Sequence, residues 1–207
     1  HLVHDAPVRG DAPVEVWAID HLLSAEECEQ LIASARQSDW LTQTAELPGL
    51  PPRIRCANSN TCTPMTHQGA DGFAVIDDDR LALRVYCRIH GELPTRLDGA
   101  ELSGIKPMFR CMHYRPGTQD TIQHDPTRAG ERGEISKLSL LIFLNDTFEG
   151  GEIDFMDGQT IIEPAVGRGV VFRHALPYRN APVQRGTKHL IRTEVFYNDH
   201  WRPFLDE

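Results

Sequence analysis

At 207 residues, 40% apolar and 25% charged, the chain has the size and composition of one globular domain that can bury its own core without disulfide staples. A formal charge of −9 argues against nucleic acid and anionic membrane surfaces as partners, because phosphate binding calls for a basic face. No run of about 18 apolar residues is present to span a bilayer.

Residues 1–13 read as a polar arm without periodicity, and 14–19 (VEVWAI) alternate like a short strand. Ser24 with Glu27 three positions on forms a capping box, and Leu23 against Cys28 fits a hydrophobic staple. Ala25, Cys28, Leu31, Ile32 and Ala35 recur on one helical face, which should lie on a sheet. From 38 to 77 the chain looks irregular, broken by Pro51-Pro52 and by Gly69 and Gly72. Such a stretch ahead of a barrel mouth suits either a substrate lid or a plain surface loop. A second helix is expected over 79–90, with Leu81, Val85 and Ile89 on one face, Asp78 or Asp79 as cap and Gly91 as stop.

Residues 108–114 (MFRCMHY) then read as a strand, and the rhythm changes. At roughly ten-residue intervals a short apolar or alternating run is cut by Gly, Pro, Asn or Asp, as in antiparallel strands closed into a barrel or jelly roll. The run 137–144 (KLSLLIFL) is apolar on both faces, as a central strand covered on each side must be. Further strands are expected over 152–156, 170–174 (VVFRH) and 188–197 (KHLIRTEVFY). Lys188, on a strand inside a closed barrel, must find an anion, because an unpaired buried ammonium is costly. Arg192, four residues on, shares its face as a second anion contact. The five cysteines, Cys28, Cys56, Cys62, Cys87 and Cys111, are odd in number and lack zinc spacing, so reduced thiols in a cytoplasmic protein are expected.

Three segments carry a resemblance: YRPG from Tyr114, SKLSLLIFLNDTFEGGE from Ser136, and HALPYRNAPVQRGTK from His174. In order and spacing they resemble the prolyl-4-hydroxylase-like family of Fe(II)- and 2-oxoglutarate-dependent oxygenases, over about 85 residues. The N-terminal half matches only loosely. The resemblance implies a mainly β fold with flanking helices, a double-stranded β-helix (jelly roll, cupin-like). It implies one domain over 1–207, with a helical and irregular part (1–106) packed on a barrel core (107–200). It also implies oxidation of a small molecule or peptide, with 2-oxoglutarate and Fe(II) as cofactors. In that family a His-x-Asp pair and a later His hold the metal, and a basic residue about ten positions further holds the far carboxylate of 2-oxoglutarate. The family's Asp falls on Asp125 and its basic residue on Lys188, with Tyr114 able to bond the same carboxylate. The two histidine positions, however, hold Gln123 and Tyr178.

That exchange has a chemical cost. Two imidazoles and a carboxylate suit Fe(II) and leave open positions, whereas a Gln amide is a weak donor and a phenol must first lose a proton with a pKa near 10. A centre of Gln123, Asp125 and Tyr178 should hold Fe(II) weakly. A ligand set of His124, Asp125 and His174 is the alternative. On a regular strand, though, i and i+2 share a face, so His124 points away from whatever Asp125 faces unless a bulge re-aims it. Three functions stay open: an oxygenase with a weakened metal centre, a metal-independent isomerase, cyclase or lyase, and a non-catalytic binding module. The second would use Asp125, Tyr178, Gln123 and His124 for acid–base work.

Overall fold

In the computed structural model, which describes residues 16–37, 70–118, 120–130 and 133–198, two helices cover one face of an eight-stranded antiparallel sheet and five short strands pack on the other. In chain order these are β1 (Val16–Ile19), α1 (Ala25–Gln37), β2 (Gly72–Asp77), α2 (Asp79–Ile89), β3 (Arg96–Leu97), β4 (Ala100–Ile105) and β5 (Met108–Tyr114). There follow β6 (Ile135–Phe143), β7 (Glu149–Gly150), β8 (Ile153–Phe155), β9 (Ile161–Ile162), β10 (Gly169–Arg173), β11 (Tyr178–Asn180), β12 (Val183–Arg185) and β13 (Lys188–Asn198). The large sheet runs β1-β10-β6-β13-β4-β3, with β5 also paired to β13 and β2 to β5. The second layer is β11-β8-β9 and β12-β7. This curled antiparallel arrangement is the mainly β jelly roll with flanking helices that the strand rhythm implied.

Period-two alternation divides the large sheet between two cores. On β6, Leu138, Leu140 and Ile142 join Cys28, Val85 and Ile89 beneath the helices, while Leu141 and Phe143 join Phe155, Phe172, Tyr178 and Leu190 between the two layers. Both faces are buried, which is why KLSLLIFL reads as continuously apolar. At about 1.5–3 kcal/mol per fully buried large side chain, this strand anchors both cores at once.

The helix ends follow the local code. Ser24 N donates to Glu27 Oε2 at 2.9 Å and Glu27 N donates back to Ser24 Oγ at 3.1 Å, the reciprocal capping box. Cys28 and Ala35 are buried and Leu31 and Ile32 pack partly against the core, but Ala25 at the helix start is exposed. Asp78 caps α2 by accepting from Arg80 N at 2.8 Å and Leu81 N at 3.0 Å. Glu27 ties the helices together, bound by Arg88 at 2.7 Å and Arg84 at 3.0 Å.

The stretch expected to be irregular up to residue 77 ends in a strand, because β2 pairs with β5 across Gly72–His113 to Asp77–Met108. That pairing is non-local and leaves no mark in a local window. Four strands of the large sheet, β1 to β4, precede residue 107. The N-terminal arm, the loop with its candidate lid up to residue 69, and Cys56 and Cys62 lie outside the described residues. Cys28, Cys87 and Cys111 are free thiols. No helix among the described residues is long and apolar enough to cross a membrane.

Candidate functional site

Strand β13 is the spine of the barrel interior. Ile191 and Val195 face the helices, while Leu190 lies in the inner core, so Lys188 and Arg192, each two residues from Leu190, share its inward face. Across the β13–β5 ladder Lys188 stands opposite Tyr114 and Arg192 opposite Arg110. From the second layer, β11 presents Tyr178 and Asn180. Gln123 N donates to Tyr178 O at 2.9 Å and Tyr178 N returns a bond to Gln123 O at 2.8 Å. This isolated bridge brings Asp120, Gln123 and Asp125 into the barrel.

Asp125 is 5% exposed and every side of its carboxylate is engaged. Arg192 Nη2 lies 2.7 Å from Oδ1, the Tyr178 hydroxyl donates to the same oxygen at 3.4 Å, and Ser139 Oγ donates to Oδ2 in a short bond. Its backbone N–H donates to His174 O at 2.9 Å. Burial pushes the Tyr178 phenol far above its ordinary range, so it stays a protonated donor. Nearby, Glu194 holds Arg128 at 2.9 Å and Lys106 at 3.6 Å. Arg110 lies 5.1 Å over the Phe73 ring, and burial, with Arg192 and Arg128 adding repulsion, pushes it down to about 10.

Lys188 is fully buried. Its Nζ donates to Asn180 Oδ1 at 2.5 Å and Gly151 O at 2.6 Å, and it lies 5.3 and 5.1 Å from the Tyr114 and Phe143 ring centres. Gly151 has φ +70°, and a Cβ there would sit 3.2 Å from Lys188 Cδ, so a glycine is needed for the backbone to approach the amine. Burial lowers Lys188 to about 7 despite the attraction of Asp120, and burial raises Asp120 to about 6 despite its bond from Asn180.

The barrel thus gathers Asp125, Gln123, Tyr178, Tyr114, Lys188 and Arg192. His174 lies alongside, close enough to feel the Asp125 charge, whereas His124, between Gln123 and Asp125, is exposed. Asp120, Ser139 and Asn180 escape sequence reasoning. Asn180 carries a usable signal, since it stands two residues from Tyr178 and shares its face on a strand. Asp120 sits in a loop with no period.

No family model and no curated protein matches the sequence. Solved structures do. A Pseudomonas putida prolyl-4-hydroxylase aligns with TM-score 0.59 and 18% identity over 88% of this chain and 92% of that one. The viral collagen prolyl hydroxylase of Paramecium Bursaria Chlorella virus-1, in a 2OG complex, gives 0.57 and 18% over 87% and 95%. A Trichoplax adhaerens prolyl hydroxylase, in complex with a hypoxia inducible factor oxygen degradation domain peptide fragment, gives 0.57 and 15% over 89% and 84%. The fold is that of the 2-oxoglutarate oxygenases. At these identities the oxygenase fold is what is shared, and the chemistry has to be argued from the side chains.

Those side chains do not fit a ferrous ion. Among the described residues no three His, Cys, Asp or Glu side chains come together to hold a metal. Asp125 is matched to a permanent cation, the Arg192 guanidinium, on one oxygen and to Ser139 on the other. Tyr178 is held as a neutral donor, and the Gln123 amide donates to Asp120 at 3.1 Å. A divalent ion here would meet a guanidinium and hydrogen-bond donors in place of lone pairs. The residues that suit a carboxylate, Lys188 and Tyr114, are present, and Asn180 links Lys188 to Asp120.

Proposed function

We propose that this protein uses the oxygenase fold as a metal-independent barrel that takes a carboxylate-bearing small molecule or peptide at Lys188. The observation that carries the reading is the Arg192–Asp125 ion pair at 2.7 Å, which neutralises the one carboxylate a metal centre would need. What the oxygenase cosubstrate would demand of the protein, a buried cation beside a phenol, is supplied by Lys188 and Tyr114. Asp120 and Lys188 both stand near neutrality, so this end of the barrel can hold or pass a proton at physiological pH. The peptide-bound Trichoplax relative supports a peptide as one form the ligand takes.

One observation favours a second reading, an oxygenase with a rebuilt centre. His174 is 4% exposed, and its buried imidazole feels the Asp125 charge and has only the Leu138 backbone beside its ring nitrogens, so among the described residues it is the one histidine placed to join Asp125 at a metal. Metal analysis of the purified protein, with 2-oxoglutarate-dependent succinate release measured with and without chelator, separates the two. The metal-independent reading expects substoichiometric iron and no chelator-sensitive succinate. One tightly held iron per chain with 2-oxoglutarate turnover would overturn it and restore the oxygenase.

A further inference from the structure

Three donors converge on a single carboxylate oxygen inside the barrel, and that carboxylate belongs to the chain itself. Asp120 Oδ2 accepts from the Tyr114 hydroxyl at 3.4 Å, from Gln123 Nε2 at 3.1 Å and from Asn180 Nδ2 in a short bond. Asp120 N donates to Asn180 O at 3.2 Å. Asn180 passes the contact on, because its Oδ1 accepts from Lys188 Nζ. An ammonium has three donors, and Lys188 directs two at Asn180 and Gly151.

The donors come from β5, from the segment bridged to β11, from β11 itself and from β13. The cradle is therefore a product of the fold and not of one local turn. The Asp120 loop is anchored from outside: Asp71 Oδ2 accepts from Arg115 N at 2.6 Å and Thr118 Oγ1 at 2.8 Å. Immediately beyond Asp120 the chain is at the surface, with Thr121 exposed and Ile122 58% exposed. Neutral donors on one oxygen and one cation an amide away suit a single negative charge better than a phosphate dianion, which calls for several cations.

We propose that this cradle is a binding site for the carboxylate of a small-molecule anion, and that Asp120 occupies it as a built-in competitor. The inference deepens the function proposed above and rests on its premise that Lys188 serves a ligand carboxylate. A tethered competitor acts at an effective concentration on the order of millimolar or more, so the parent protein binds simple carboxylates poorly unless the ligand brings further contacts. Asp120 is the residue that decides occupancy, whereas Tyr114, Asn180 and Lys188 are the groups an incoming carboxylate would touch.

The test is calorimetric titration of succinate into the full chain. Asp120→Ala should bind succinate at least about tenfold more tightly than the parent, and adding Lys188→Met should abolish that gain. The proposal is overturned if Asp120→Ala gains nothing, or if the gain survives loss of the amine. Should Asp120→Ala fail to fold, Asp120→Asn keeps the volume and removes the charge. It should still gain at least about threefold, and no gain there is equally fatal. Iron content and chelator sensitivity report on the Asp125–Arg192 end, so stoichiometric iron would sink the metal-independent reading while leaving the succinate comparison to be judged by itself.

Discussion

Arg192→Met removes the guanidinium that sits against Asp125 and leaves the buried carboxylate with the hydroxyls of Ser139 and Tyr178 as its hydrogen-bond donors. The two side chains are 6% and 3% exposed and 2.7 Å apart. With charge centres about 4 Å apart and an effective dielectric near 20, the attraction is roughly 4 kcal/mol. Stripping one partner from a buried pair costs about 3–5 kcal/mol, against a total stability of about 5–15 kcal/mol for a domain. For a chain of this length that corresponds to a fall in Tm of roughly 10 °C. Urea unfolding followed by circular dichroism measures it directly. The companion Asp125→Leu takes from Arg192 the carboxylate it is paired with and should cost a similar amount, while the double variant should lie within about 1 kcal/mol of the parent, because well-packed apolar replacements of buried ion pairs are close to neutral. A coupling of at least about 5 kcal/mol across the cycle is therefore expected. If Arg192→Met costs under about 1 kcal/mol and the coupling vanishes, Asp125 is not neutralised by Arg192, and the case against a metal centre falls with it.

Other outcomes follow from single contacts. Glu27, held down to about 2 chiefly by Arg88 and also by the Ser24 amide and Arg84, has a folded pKa below its unfolded one. Its contribution is complete above about pH 4.5 and is lost as pH falls toward 2, so Glu27→Gln should cost about 1–2 kcal/mol at pH 7 and flatten that acid limb of the stability profile. Lys188 titrates near 7 when folded and near 10.5 when unfolded, so between those values the unfolded chain binds the extra proton and stability rises with pH. Lys188→Met should remove that rise, which denaturant melts at pH 7 and pH 10 will show. At Gly167, φ is +72° and an added Cβ would run into the Leu23 carbonyl oxygen, to whose residue Gly167 is bonded through Leu23 N at 3.2 Å. Gly167→Ala should lower stability by about 2 kcal/mol or more, seen as a shifted urea midpoint at unchanged slope.

What the sequence reveals here depends on how local the cause is. Ser24–Glu27 and Asp78 cap their helices through contacts within three residues, and such signals survive in a short window. The inward and outward halves of β6 and β13 are written in residue alternation, so Lys188 and Arg192 could be placed on one face before any coordinates. Strands of two or three residues such as β7 and β11 carry no period at all, and β2 exists because of a partner more than thirty residues away. The site failed in the same way. Asp125 could be singled out, yet what it binds lies on β6, β11 and β13, and no spacing rule connects Asp125 to Arg192. Asp120 is a loop acid among many, and only folding shows that three donors are aimed at it.

Strand β13 is the last described element of the chain, and it pairs with β4, β5 and β6 along its eleven residues. During synthesis β4, β5 and β6 all emerge before β13, the partner they share. Until β13 arrives, β5 and β6 present open edges of the kind that recruit other chains. The same strand delivers Lys188 and Arg192, so Asp120 and Asp125 wait for their countercharges until the final docking step. Closure of the sheet and neutralisation of the interior are thus one event, and a ribosome-stalled or C-terminally clipped chain would lose both together.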